Sequence, residues 1–273
     1  MASSGGYASS AGTIVSHQMS AVVSHRAAPT TVAATVISIH ELKAHCASCS
    51  MRELCLPVGL EPDAMRQLDK IISNRTRVRK RESLYRPGDI FLAVYAIRLG
   101  TFKTVLLAED GREQITGYHM AGEMVGLDGL SNERHACQAI ALEDSEVCVL
   151  PFNRLDDLAH DLPLLRRNLY RFIAKDVCRD QDMMMLLGSR SAEERLALFL
   201  LDLADRYRKR GYSSSDFVLR MTREEIASYL GLKLETVSRL FSHLQEAGLL
   251  QVQGRAIKLL DLAALKKLVG QGG

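Results

Sequence analysis

One segment restricts this chain more than any other: Thr222-Arg-Glu-Glu-Ile-Ala-Ser-Tyr-Leu-Gly-Leu-Lys-Leu-Glu-Thr-Val-Ser-Arg-Leu240. Apolar residues recur at Ile226, Leu230, Leu232, Val237, Leu240 and Leu244, the spacing of two short amphipathic helices. Gly231 between them supplies the backbone freedom of a sharp turn, and Ala227 is small where the helices would cross. Two helices joined in this way make a helix-turn-helix. On the second helix Glu235, Ser238 and Arg239 stand at i, i+3 and i+4, so they project from one face. Their chemistry suits base edges: Arg forks onto guanine, Glu accepts from the cytosine amino group, and Ser serves either role. Lys233, Thr236, Arg223 and His243 flank that face, where phosphates are met. The expected partner is double-stranded DNA. Strand-prone runs from Leu249 and Ala256 on either side of Gln253-Gly254 add a wing.

Far upstream, Cys46, Cys49 and Cys55 form a C-x2-C-x5-C run. The N-terminus lacks a basic start followed by a compact apolar segment, so a cytoplasmic location is expected for the chain's six cysteines. Clustered thiols in a reducing compartment bind metal or do redox chemistry. Zinc and iron–sulfur clusters both take thiolates, usually four, and Cys137, Cys148 and Cys178 are the candidates for the fourth place. Disulfide formation within the run is the remaining option. No run approaches the length of a bilayer span, so no membrane partner is expected. The net charge of +3 says little by itself.

With 273 residues, nearly half of them apolar, the chain has material for two ordinary domains. The pattern predicts an α+β protein. Residues 1–38, rich in Ala, Ser and Thr, read as a disordered leader, and 39–60 as the cysteine-rich segment. Residues 61–160 open on a short helix carrying Met65, Leu68, Ile71 and Ile72. They continue as β-prone runs between turns such as Pro87-Gly88-Asp89 and Ala121-Gly122-Glu123, which indicates an antiparallel barrel or sandwich. A long helix spans 161–188, and 189–273 hold the winged helix-turn-helix. Ile173, Val177, Asp180, Met184 and Leu187 are spaced 4, 3, 4 and 3, the seam of a coiled coil and hence of a homodimer. Asp180 sits in that seam. Two facing carboxylates repel, so the expected dimer is marginal.

Several stretches in order carry a resemblance: the cysteine run ending Cys55-Leu-Pro57, Tyr95–Lys103, Glu113–Gly122, Val147–Phe152, Asp180–Met183, Ala192–Ala197 and Glu235–Arg239. Together they resemble the FNR (fumarate and nitrate reduction regulator) branch of the CRP/FNR superfamily of bacterial transcription factors. The resemblance implies a cyclic-nucleotide-binding-like β-roll, a dimerisation helix and a winged helix-turn-helix. It implies an oxygen-labile [4Fe-4S] cluster held by Cys46, Cys49, Cys55 and Cys148, the last being the cysteine shortly before Pro151-Phe152. Cys137 and Cys178 then fall outside the ligand set. It further implies a TTGAT-like inverted repeat read by Glu235, Ser238 and Arg239, and Asp180 keeping the cluster-free chain monomeric. RNA polymerase contact through the loop Ala108–Glu113 and activation of anaerobic metabolism genes complete the expectation.

The superfamily's nucleotide pocket is not matched. Leu127 stands where a ribose-binding carboxylate belongs and His135 replaces a phosphate-binding Ser, leaving Arg134 alone, so no cyclic nucleotide is expected. The alternatives are a cyclic-nucleotide regulator with structural zinc at the cysteines, or a thiol–disulfide sensor. No pattern of catalytic residues suggests an enzyme.

Overall fold

A computed structural model of the chain describes residues 45–108, 111 and 113–270. The leader expected at 1–38 lies outside the described residues, as do Glu109, Asp110 and Arg112 of the loop expected to meet RNA polymerase.

Eight strands among the described residues precede the three long helices of the second half. They are β1 (Asn74–Val78), β2 (Ser83–Tyr85), β3 (Ala93–Leu99), β4 (Thr101–Leu107), β5 (Glu113–Met120), β6 (Met124–Val125), β7 (Gln138–Ala141) and β8 (Ser145–Pro151). They form two antiparallel sheets, ordered β1-β8-β3-β6 and β2-β7-β4-β5. Between the sheets lie Tyr85, Ile97, Phe102, Val125, Ala139 and Val147. The antiparallel pairing is that expected from the turn pattern, and the roll is the form that the resemblance implies.

The outer faces are covered too. Along β3 the side chains alternate, Tyr95 and Ile97 inward, Val94 and Ala96 outward, yet both sets find apolar partners. The outward set packs with Leu56 and Leu60 of the cysteine segment and with three helices, α1 (Pro62–Ile71), α2 (Phe152–Asp161) and α3 (Pro163–Ser189). The second sheet presents Val105, Ile115 and Met120 outward, into a core shared with α4 (Ala192–Lys209) and α5 (Arg223–Leu230). Completing the chain are α6 (Leu234–Glu246), α7 (Leu262–Leu268) and a small antiparallel sheet of β9 (Asp216–Val218), β10 (Leu250–Gln253) and β11 (Ala256–Leu259), which supplies the wing.

Local chemistry explains the helix boundaries. Ser191 and Glu194 form a reciprocal cap at the start of α4, and Thr222 and Glu225 repeat it at α5. Such a cap contributes about 1 kcal/mol. Gly231 ends α5 at φ +63°, a conformation few other residues take without strain. The long helix α3 runs through Gly188 and ends at Ser189, a glycine costing little in a helix's final turn.

Candidate functional site

The cysteine segment crosses the outer face of the first sheet as two single turns of 3-10 helix, Cys46–Ser48 and Arg52–Leu54. Three anchors hold it. The Cys46 amide donates to Asp69 Oδ1 of α1 at 2.7 Å. Asn168 of α3, only 1% exposed, donates through Nδ2 to the carbonyls of Leu56 and Val58 at 2.8 and 2.9 Å. Leu54 rests on Gly122, where a Cβ would lie 2.8 Å from the leucine Cβ. Gly122, at φ +88°, is therefore required twice, by backbone conformation and by close approach.

Cys46, Cys49, Cys55 and Cys148 line one cavity of about 500 Å³ of atom-free space, its mouth included. Three come from the segment. Cys148 comes from β8, where it pairs across the sheet with Arg75 on β1 and with Ala96 on β3, whose small side chain leaves room. The other two cysteines lie elsewhere. Cys137 is buried against Asp128, 3.3 Å from its Oδ2, and Cys178 is exposed on α3. Burial pushes the Cys46 thiol well up, with Asp69 adding to it. It also raises Cys55 to about 12 and Cys148 to about 11, Arg75 drawing the latter partly back. Thiols so placed stay neutral until a cation arrives.

Among the described residues no three Cys, His, Asp or Glu side chains stand close enough to hold a single metal ion. A tetrahedral zinc with 2.3 Å bonds would draw its sulfurs to within about 3.8 Å of one another. Four thiols on one cavity wall are the donor set that both zinc and iron–sulfur clusters take.

Glu235, Ser238 and Arg239 are exposed on the first turns of α6, Lys233 is exposed at its N-cap, and Thr236 is half-buried. Val237, Phe241 and Leu244 anchor the opposite face; Leu232 and Leu240, expected in the core, are only partly buried. No ion pair among the described residues engages Lys233, Glu235 or Arg239, so this face of α6 is open. Two residues expected beside it are already occupied. Arg223 lies 3.4 Å above the Phe241 ring, and His243 Nδ1 is 3.0 Å from Glu193 Oε1.

On α3, Ile173 is half-buried, while Val177 and Met184 are 51% and 66% exposed and Asp180 is exposed. Tyr170, 60% exposed and one step earlier at the same spacing, extends this apolar row, and the sequence reading missed it.

A second omission joins the parts. Glu123, next to Gly122, accepts from Arg206 at 2.7 Å and Arg210 at 2.5 Å, both on or beside α4, with Arg179 of α3 at 3.7 Å. Arg206 also donates to the Tyr118 carbonyl and Arg210 to that of Ala121. Burial alone would raise the Glu123 carboxyl, but the three guanidiniums outweigh it and hold it down at about 2. One turn thus touches the cysteine segment, α3 and the DNA-reading half.

A further cavity lies between the roll and α3. Leu127 lines it, but so do Asp128, Asp176 and Asp180, and its one guanidinium, Arg179, is engaged by Asp176 and Glu123. Arg134 is absent from its lining and donates to the Gly88 carbonyl. His135 stacks on Tyr85 beside Asp128. Burial, with nearby carboxylates, lifts Asp176 to about 6.

Two family models match the chain, a cyclic nucleotide-binding domain over residues 75–161 and a Crp-like helix-turn-helix domain over 194–268. The transcriptional activator protein Anr of Pseudomonas aeruginosa is 45% identical over 84% of this chain and 93% of its own length. The fumarate and nitrate reduction regulatory protein of Escherichia coli is 43% identical over 83% of this chain and 90% of its own. Among solved structures, FixK2 from Bradyrhizobium japonicum superposes with a TM-score of 0.66 at 33% identity, over 71% of this chain and 96% of that one. The chain belongs to the CRP/FNR family of DNA-binding transcription regulators, on its Fnr/Anr branch, and is not an enzyme.

Proposed function

We propose that this regulator is an oxygen-responsive activator of anaerobic metabolism genes. In this reading Cys46, Cys49, Cys55 and Cys148 hold an oxygen-labile [4Fe-4S] cluster. The observation that carries it is the gathering of four thiols, three from one segment and one from a strand, around a single cavity while two other cysteines stay away. When bound, such a group supplies oxygen lability: its loss frees the thiolates that held it. The rest belongs to the chain. With its thiols held, the cysteine segment keeps its anchors on Asn168 and Gly122, and so the pose of α3 and of Glu123. The open row on α3 then pairs with a second copy, giving a homodimer whose two α6 helices reach successive major grooves of a TTGAT-like inverted repeat. Glu235, Ser238 and Arg239 read bases, Lys233 and Thr236 position the backbone, and RNA polymerase meets the 108–113 loop. The acidic lining of the second cavity supports a regulator without a cyclic-nucleotide effector.

The test is purification without oxygen, with a visible spectrum and iron and sulfide analysis. A straw-brown protein with about four irons and four sulfides per chain, bleaching in air, is expected. A colourless protein with about one zinc, or thiols that cycle with reductant alone, would sink the cluster reading and leave the DNA-binding half standing.

Asp180 in the open row gives a second expected result. Two copies paired along this row bring two carboxylates together, so Asp180→Ala should be dimeric in air and bind the inverted repeat without a cluster. Light scattering and gel shift in air decide it. An aerobic monomer would show that Asp180 is not what holds the copies apart.

A further inference from the structure

We propose that Arg75 is a positioning residue of the cysteine cavity, its side-chain N–H groups donating to the anionic sulfur held there. The inference rests on the cluster reading above. Arg75 lines the cavity, and its place on β1 is directly across from Cys148. Its Nε is buried and has no hydrogen-bond partner. A guanidinium N–H has no acceptor character, so an orphan of this kind implies an acceptor that the described residues do not supply. Glu146 does not fill that role. It lies 3.7 Å from Arg75 Nε, an ion-pair distance beyond a hydrogen bond, while accepting from Arg98 at 2.8 Å. The third arginine of the cavity wall, Arg52, is bound to Glu53 at 2.9 Å. Of the three arginines lining the cavity, Arg75 is the one with a buried N–H that lacks an acceptor among the described residues.

Electrostatics point the same way. Thiolates gathered in an apolar pocket carry negative charge that burial penalises, and a fixed cation one strand away offsets it without ligating. The chain supplies that cation beside the one ligand candidate that sits on a rigid strand. An arginine serves better than a lysine here because its planar fork presents several N–H groups in fixed directions.

Anaerobically purified wild type, Arg75→Leu and Arg75→Lys would be compared, with exposed Arg77→Leu on the same strand as control. Three readouts are taken: iron and sulfide content with the visible absorption band, the rate of iron loss to a chelator without oxygen, and the thermal midpoint of the cluster-free protein. Arg75→Leu is expected to shift the sulfur-to-iron band and to lose iron about 10-fold faster, the scale of an outer-shell contact. Arg75→Lys should recover part of that loss, and Arg77→Leu should match wild type. A band and iron-loss rate unchanged in Arg75→Leu overturn the proposal. So does a faster loss that merely follows a lowered thermal midpoint with an unshifted band, since that is a structural role. A wild type without iron and sulfide overturns the cluster reading and this proposal with it; a loaded wild type with an indifferent Arg75→Leu overturns this proposal alone.

Discussion

Glu123→Ala is expected to destabilise the cluster-free chain by about 3–5 kcal/mol, because it strands buried guanidiniums that lose their common partner. Arg206 and Arg210 are almost wholly enclosed, and neither can turn to water without opening the contact between roll and α4. The pH dependence carries a definite sign. Glu123 has its carboxyl held at about 2 in the folded chain against an ordinary value of 4.5. Its contribution is complete above the unfolded value and disappears as pH falls through the folded one. Denaturation of wild type and Glu123→Ala should therefore differ most at neutral pH and converge as pH drops from about 4.5 toward 2. Equal midpoints at pH 7 would mean the arginines find other acceptors and the turn bears no such weight. Because the same turn seats Leu54, the variant should also blunt the response of DNA binding to oxygen, which a gel shift with and without air would read.

The second large effect concerns Cys148. Cys148→Ser should lose most of the bound iron and sulfide and with them anaerobic DNA binding, whereas Cys137→Ser and Cys178→Ser should load as wild type. Position is the reason. The other three thiols ride on two short turns tied by a few hydrogen bonds, while Cys148 is fixed in a strand paired on both sides. Removing it leaves ligands from one segment alone, with no thiol on the sheet to close the site. Iron and sulfide analysis of the three variants, purified side by side without oxygen, decides the matter. Full loading of Cys148→Ser together with loss in Cys137→Ser would place the fourth ligand inside the roll and refute the cavity assignment.

What could be read from the residues follows their range of interaction. The helix-turn-helix was legible because its apolar spacing, its polar face and Gly231 all lie within one short stretch. The roll was legible from its turn glycines, although β1 was not, since Asn74, Arg75 and Arg77 give an edge strand no apolar alternation. The cysteine run announced a ligand set, but spacing could not choose among Cys137, Cys148 and Cys178. That choice came through resemblance, and the structure adds that of the three only Cys148 shares the cavity. Glu123 with its arginines was invisible, because a lone carboxylate in a turn and two arginines more than eighty positions later carry no joint signal. Tyr170 was missed for a milder reason: the repeat was started one step too late.

The second sheet has a wider consequence. Its outer face is finished not by the roll's own elements but by helices of the helix-turn-helix half, with Lys103 paired to Glu225 at 2.8 Å and the Ile115 amide donating to Ser228 Oγ at 3.1 Å. A boundary drawn between α3 and α4 is thus a change of task and not a seam of folding. The reader is no interchangeable cartridge. Grafted onto a foreign sensor it would bring an uncovered apolar flank and leave another behind on the roll, so exchange between regulators of this kind must carry the β4–β5 surface along with the helices it was shaped against.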